Sequence, residues 1–177
     1  MKTIILSLRP TVFPALLSGL KRFEYRHTFP ADVSQVYLYL SSPMKAVVGE
    51  LTVGKRISLN QLLVETTDEK TKSRLQILTE EGARWAMPIK QLSLFQQPIS
   101  LTTARNFNEG FVAPQSYCYL ERYPQLAEQL VQSRRQKKIT WPLASTEYLL
   151  GYSCQEIYRL PTFKNLTGEY LGQKIKV

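Results

Sequence analysis

The stretch GLKRFEYR, residues 19–26, interleaves charged and aromatic side chains in a pattern typical of a short strand. Charges on a strand usually form its solvated face, and at a sheet edge they prevent pairing with other chains. A solvated edge strand is therefore one interpretation of the stretch. The other is a charged ligand site built from its ionic side chains: Lys21, Arg22, Glu24 and Arg26.

The alternation of side chains along a strand predicts how these charges are arranged. Arg22, Glu24 and Arg26 fall on one face, so we expect the Glu24 carboxylate to lie between two guanidinium groups and to stay ionised. Lys21 has the opposite parity, but the preceding Gly19-Leu20 turn can swing it over the same face. Lys21 and Arg26 would then contact phosphate or carbonyl groups, and Glu24 would accept from an exocyclic amine.

This arrangement also predicts how the charged residues affect stability. Exposed ion pairs contribute only about 0–1 kcal/mol to the free energy of folding. If the charges line an open cleft, Lys21→Ala and Arg26→Ala should leave the melting temperature nearly unchanged. Ligand binding should then be affected more than folding.

The rest of the chain predicts a mixed α+β fold with a compact, curved sheet. Thr11 can cap a short helix that tolerates Pro14 in its first turn and ends at Gly19. The polar segment with scattered leucines at residues 59–78 predicts one or two further helices. Alternating and apolar runs predict strands at residues 3–8, 22–26, 35–40, 46–53 and 83–95.

Four motifs occur in an order that resembles the ASCH domain family, a branch of the PUA-like superfold. The pattern G-x-K-x-x-E-x-R at residues 19–26 is followed by VYLYLSSP (36–43), VVGEL (47–51) and APQSYCYL (113–120). The resemblance covers residues 1–121. It implies a small β-barrel with flanking helices and a basic cleft suited to RNA or to a single nucleobase.

The resemblance also implies which residues line the cleft, and each has a structural alternative. Ser42 ends a strand, where a hydroxyl often satisfies a loose backbone group instead. An exposed Tyr117 could stack on a base, which is worth about 1–3 kcal/mol, whereas a buried one would only pack. Arg22 is expected to be peripheral. The expected ligand-binding set is Lys21, Glu24, Arg26, Ser42, Gln115, Ser116 and Tyr117.

Residues 122–177 predict a basic helical C-terminal extension that can pack on the barrel. This segment has nine basic and four acidic residues. An apolar stripe from Tyr123 to Val131 predicts a helix that ends in RRQKK, residues 134–138. Its cations are either a solvated helix end or a patch that contacts a nucleic-acid backbone, and they are Arg134, Arg135, Lys137 and Lys138.

The extension also has the outline of a helix-turn-helix. Residues 142–150 predict a first helix, Gly151 a turn, and Ser153 with Glu156 the capping box of a second helix. Pro161 stops that second helix after about two turns. A plain helical hairpin is therefore favoured over a DNA-reading motif.

Composition limits the classes of partner. The chain has 177 residues, a net charge of +9 and a pI near 9.6, which favours a polyanionic partner. No segment reaches the roughly 20 apolar residues that cross a bilayer, and the N-terminal residues lack the features of a signal peptide. With one histidine and two cysteines we expect no metal site, no cofactor and a cytoplasmic location.

These observations predict an intracellular protein that binds RNA, or a modified nucleobase or nucleotide, in the cleft. One alternative is an enzyme, either a ribonuclease or an amidohydrolase. Some ASCH proteins are amidohydrolases that act on acetylated cytidine, and Lys21 resembles their lysine, but Glu24 stands where they have threonine. Lys21 and Glu24 would be the catalytic candidates. The other alternative is a DNA-binding regulator that uses the extension. The oligomeric state and the ligand's identity stay open.

Overall fold

The computed structural model describes residues 2–133, 137–140, 150–161, 169–170 and 173–174. For residues 137–140, 169–170 and 173–174 it describes the backbone path alone. All statements below refer to these ranges.

One curled sheet dominates the fold and forms a half-barrel with flanking helices. The strand order is β2-β6-β4-β3-β1-β7, and β5 and β8 also pair with β6. Among the described strands of this sheet, β1 and β3 are the one parallel pair. The strands are β1 (Ile4–Leu8), β2 (Phe23–Arg26), β3 (Gln35–Leu40), β4 (Ala46–Val53), β5 (Ile57–Ser58), β6 (Trp85–Ser100), β7 (Tyr117–Tyr119) and β8 (Lys137–Thr140). β9 (Glu169–Tyr170) and β10 (Gln173–Lys174) pair antiparallel in a second, two-stranded sheet.

Short helices cover the sheet. The side chains of Asp68 and Ser100 cap the third and fourth helices by accepting hydrogen bonds from backbone N–H groups in the first turn. The helices are α1 (Phe13–Leu17), α2 (Leu59–Glu65), α3 (Glu69–Glu80), α4 (Leu101–Phe107), α5 (Pro124–Gln132) and α6 (Cys154–Ile157).

The apolar runs of the central strands are continuous because both faces of the sheet are buried. In β1, Ile4, Leu6 and Leu8 point into the core that also holds Phe13 of α1. The alternate residue Ile5 points to a second core on the other face, formed with α4 and α5. A third cluster lies between α2, α3 and the β2 end of the sheet. The half-barrel is therefore covered on both sides, and charged residues within it need polar partners.

The predicted elements mostly agree with the structure. The strands predicted at residues 35–40 and 46–53 match β3 and β4, while β6 extends beyond its predicted end to Ser100. Gly19 has a φ of 75°, as expected for the residue that ends α1. The prediction that Thr11 caps this helix is wrong, because residues Pro10–Val12 form a 3-10 turn and Val12 occupies the cap position.

The C-terminal extension contains helices, as predicted, and also strands. α5 ends at Gln132, and Lys137 and Lys138 lie in β8. The prediction that these two lysines form a helix end is therefore wrong, because Lys137–Thr140 pairs with β6. Arg134 and Arg135 lie outside the described residues. The division of the chain after residue 121 stays a prediction.

The capping box of the predicted helix-turn-helix is confirmed. The Ser153 side chain accepts from the Glu156 backbone, and the Glu156 side chain accepts from the Ser153 backbone. However, α6 has only four residues. The predicted first helix at residues 142–150 lies outside the described residues except for Leu150.

The curvature of the sheet requires a close approach of β4 to β6 at Gly49. A Cβ atom built on Gly49 would lie 2.2 Å from the Ser93 carbonyl oxygen, and the register between the strands shifts beside it. Any side chain there would push β4 away from β6.

We therefore predict that Gly49→Ala lowers the free energy of unfolding by about 1–3 kcal/mol, the usual cost of overpacking. Urea denaturation measures the change. The control is Gly54→Ala, whose added Cβ meets the flexible Lys90 side chain and the Pro88 ring at 3.3 Å, far less crowded than at Gly49, and should cost less. Equal losses in the two variants would contradict the prediction.

Candidate functional site

The turn between α1 and β2 places Lys21. The Lys21 backbone N–H donates to the Ala15 carbonyl oxygen at 3.0 Å, two residues after the left-handed residue Gly19. Because β2 begins only at Phe23, the alternation rule does not apply to Lys21. Its Nζ lies 3.1 Å from Glu24 Oε2 and donates to the Phe23 carbonyl oxygen at 2.5 Å.

The second cation on Glu24 is Arg26. Arg26 Nε donates to Glu24 Oε1 at 2.9 Å, and Nη2 lies at the same distance from this oxygen. Nη2 also donates to the Ser7 carbonyl oxygen at 2.5 Å. Arg26 therefore ties β2 to β1, two strands at different positions in the sheet.

The Lys21–Glu24–Arg26 triad is buried. Lys21 is 8% exposed and Glu24 6%, while the Arg26 side chain keeps 17% of its surface exposed. The expectation that Arg22 is the second guanidinium on Glu24 is wrong, because the turn brings Lys21 there instead. Arg22 is itself 8% exposed, and its burial lowers the pKa of the guanidinium.

Burial removes the premise of the expected small effect of these residues on stability. That expectation assumed exposed ion pairs, whereas two of the three triad members are almost fully buried. Removing one partner of a buried ion pair leaves an uncompensated charge away from water.

The triad keeps Glu24 ionised, as predicted. Burial by itself raises the pKa of the Glu24 carboxyl, but the charges of Lys21 and Arg26 and their hydrogen bonds outweigh it. The pKa of Glu24 therefore lies below its ordinary value. At neutral pH the three side chains together carry one net positive charge.

A cleft of about 490 Å³ opens beside Arg26. It brings together three of the predicted site residues, Glu24, Arg26 and Gln115. Sequence reasoning missed the others, although a cation directly after the first predicted strand was a signal for Arg9. The missed lining residues are Ser7, Leu8, Arg9, Val12, Ser41 and Pro114.

The remaining predicted ligand contacts do not line this cleft. Lys21 Nζ is held against Glu24 and the Phe23 carbonyl oxygen. Ser42 is exposed next to the lining residue Ser41. The Ser116 carbonyl oxygen accepts from the Ser7 backbone, and Tyr117 pairs with Leu6 in the sheet. The Tyr117 ring is half-buried against Tyr119, with an edge-to-face contact at 5.9 Å.

The described part of the chain contains no group of three or more histidine, cysteine, aspartate or glutamate side chains able to hold a metal ion. None of its helices is both long and apolar enough to span a bilayer. Cys118 and Cys154 are free thiols whose pKa values are raised by burial.

We predict that Glu24→Gln lowers the free energy of unfolding by about 3–5 kcal/mol, because it leaves Lys21 and Arg26 buried without their counter-charge. Chemical denaturation measures the loss. The matched control is Glu69→Gln, which removes an exposed ion pair with Lys72 and should cost less than about 1 kcal/mol. A similar small loss in both variants would show that the triad does not stabilise the fold.

Glu24 should also give stability a pH dependence of defined sign. Because its folded pKa lies below the ordinary value of 4.5, its contribution is complete above that pH and is lost as the pH falls through the folded pKa. Glutamine cannot titrate, so the stability difference between the parent and Glu24→Gln should shrink at acid pH. Urea unfolding of both proteins from neutral pH downward measures this. A constant difference would mean that Glu24 is not charged in the folded state.

Comparisons with known proteins identify the fold. No family model matches the chain, and no curated protein matches it. Among solved structures, the ASCH protein of Zymomonas mobilis matches with a TM-score of 0.59 and 23% identity over 76% of this chain and 97% of that chain. Two single-substitution mutants of it match with TM-scores of 0.57 and 0.55, at 20% and 21% identity. They cover 76% and 74% of this chain, and 99% and 95% of theirs. About three quarters of the chain therefore has the ASCH-like, PUA-like fold.

Proposed function

We propose that the protein binds RNA or a nucleotide in the cleft beside Arg26. The observation that carries this proposal is the guanidinium of Arg26, fixed by Glu24 and Ser7 at the wall of a cleft of about 490 Å³. Small-ligand sites usually measure about 300–1,000 Å³, so the cleft has room for one nucleotide unit. Arg9 adds an exposed second cation.

The wider charge distribution supports a polyanionic partner. The net charge is +9 over 177 residues. Lys137 and Lys138 lie in β8, which pairs with β6 of the main sheet. We propose that these lysines, together with Arg134 and Arg135, contact the backbone of a longer nucleic acid. A cytoplasmic location is part of the proposal, because both cysteines of the chain are free thiols.

Neither alternative gains an observation of its own. The hydrolase alternative needs Lys21 to act on a bound nucleoside, but Lys21 Nζ is engaged by Glu24 and the Phe23 carbonyl oxygen and does not line the cleft. The DNA-binding regulator needs a recognition helix, and α6 has a single turn. We therefore place RNA or nucleotide binding before both.

The proposal predicts binding to single-stranded RNA that weakens steeply with salt. With about four phosphate contacts, the slope of log affinity against log salt concentration should be near −3. Fluorescence anisotropy with labelled single-stranded RNA measures the slope, and duplex DNA of the same sequence tests the regulator alternative. Tighter binding to duplex DNA would favour that alternative, and a slope near zero would contradict binding through phosphates.

Changing four cations of residues 122–177 to glutamine in one variant tests whether this extension contributes to RNA binding. It should weaken binding to all RNA sequences alike and reduce the salt slope. An unchanged slope would assign these residues to a solvated surface. The residues changed to glutamine are Arg134, Arg135, Lys137 and Lys138.

A further inference from the structure

The orientation of Arg26 determines what the cleft can recognise. Its Nε and Nη2 atoms are engaged by Glu24 Oε1 and the Ser7 carbonyl oxygen. Its Nη1 atom makes no hydrogen bond to any residue that the structure describes. Since the side chain is 17% exposed at the cleft wall, the unused donors of the guanidinium are those available to a ligand.

Glu24, unlike Arg26, has both of its carboxylate oxygens engaged by other residues. One carboxylate oxygen is engaged by Arg26 and the other lies 3.1 Å from Lys21 Nζ. The Glu24 side chain is also only 8% exposed. Its contacts fix the plane of the Arg26 guanidinium, so Glu24 acts on a ligand through Arg26. In this arrangement Glu24 is a positioning residue, which replaces the expectation that it accepts from an exocyclic amine of a base.

The other lining residues add one more cation and a neutral wall. Arg9, which follows β1, is exposed at the cleft. Val12 and Pro114 supply apolar surface, and Ser41 and Gln115 supply neutral polar groups. Glu24 is the one acid among these lining residues, and its charge is already balanced by the triad. The cleft therefore offers positive charge with adjacent apolar surface.

Resting on the proposed function, we infer that the cleft recognises the phosphate group of a nucleotide through Arg26 and Arg9. A guanidinium with two free donors on one nitrogen matches phosphate oxygens, and hydrogen bonds between charged groups are stronger than neutral ones. The apolar wall then contacts the sugar or the base. The phosphate can belong to a free mononucleotide or to an RNA strand, and the chemistry of recognition is the same.

The inference is tested by comparing nucleosides with their phosphates. Isothermal titration calorimetry is carried out on the full chain with the four ribonucleosides, their 5′-monophosphates, inorganic phosphate and a short single-stranded RNA. We expect at least one 5′-monophosphate, or the RNA, to bind about tenfold or more tightly than the matching nucleoside, as a charge-assisted hydrogen bond provides. Tighter binding of the monophosphate or of the RNA identifies the source of the phosphate.

Two arginine variants distinguish binding in the cleft from attraction to the overall positive charge of the protein. Because changes to Glu24 are expected to destabilise the fold, the test uses Arg9→Ala, which removes an exposed side chain. This variant should weaken phosphate-bearing ligands several-fold and leave nucleoside binding unchanged. The control is Arg122→Ala, which removes an exposed arginine two residues after Leu120, whose backbone N–H donates to the Thr3 carbonyl oxygen at the end of β1 away from the cleft. It should bind like the parent protein.

The outcomes distinguish this inference from the proposed function. If nucleosides bind as tightly as their phosphates, or if Arg9→Ala and Arg122→Ala have equal effects, phosphate recognition in the cleft is wrong while nucleoside or RNA binding stands. If no nucleoside, nucleotide or RNA binds, the proposed function is wrong and the inference is wrong with it. Binding of inorganic phosphate alone, unaffected by Arg9→Ala, would also overturn the inference.

Discussion

A buried carboxylate held between two cations stabilises the part of the fold that borders the candidate cleft. Glu24 lies between Lys21 from the turn after α1 and Arg26 from the end of β2, and Arg26 continues to the Ser7 carbonyl oxygen of β1. Burying three charges is costly, so they are tolerated only because each one has a charged partner. The same contacts fix the relative positions of β2 and β1, and both strands carry residues that line the cleft.

The proposed recognition surface depends on this network. Glu24 and the Ser7 carbonyl oxygen engage Nε and Nη2 of Arg26, which also lines the cleft, so we infer that a ligand there meets the remaining donors of the guanidinium. A guanidinium held in this way loses little side-chain entropy when a ligand binds. The charged strand is therefore not a solvated edge, because Glu24 is buried and both Glu24 and Arg26 line the cleft.

Features that depend on local interactions could be predicted from the sequence, and features that depend on contacts between distant residues could not. The alternation and apolar runs at residues 35–40 and 46–53 predicted β3 and β4, since both faces of these strands are buried. The alternation of side chains along a strand did not predict the position of Lys21, because Lys21 precedes β2 and a turn places it. β8 was missed because Lys137–Thr140 becomes a strand through pairing with β6. Arg9 and Ser7 join the cleft only through strand order, which the local pattern does not specify.

The most direct test of the account is a crystal structure of the protein with a bound nucleoside 5′-monophosphate. We expect the phosphate oxygens within hydrogen-bond distance of Arg26 Nη1 and close to Arg9, with the contact between Arg26 and Glu24 unchanged. The sugar or base should lie against Val12 and Pro114. A nucleotide bound with its base amine on Glu24 and its phosphate in solvent, or bound away from this cleft, would contradict the account.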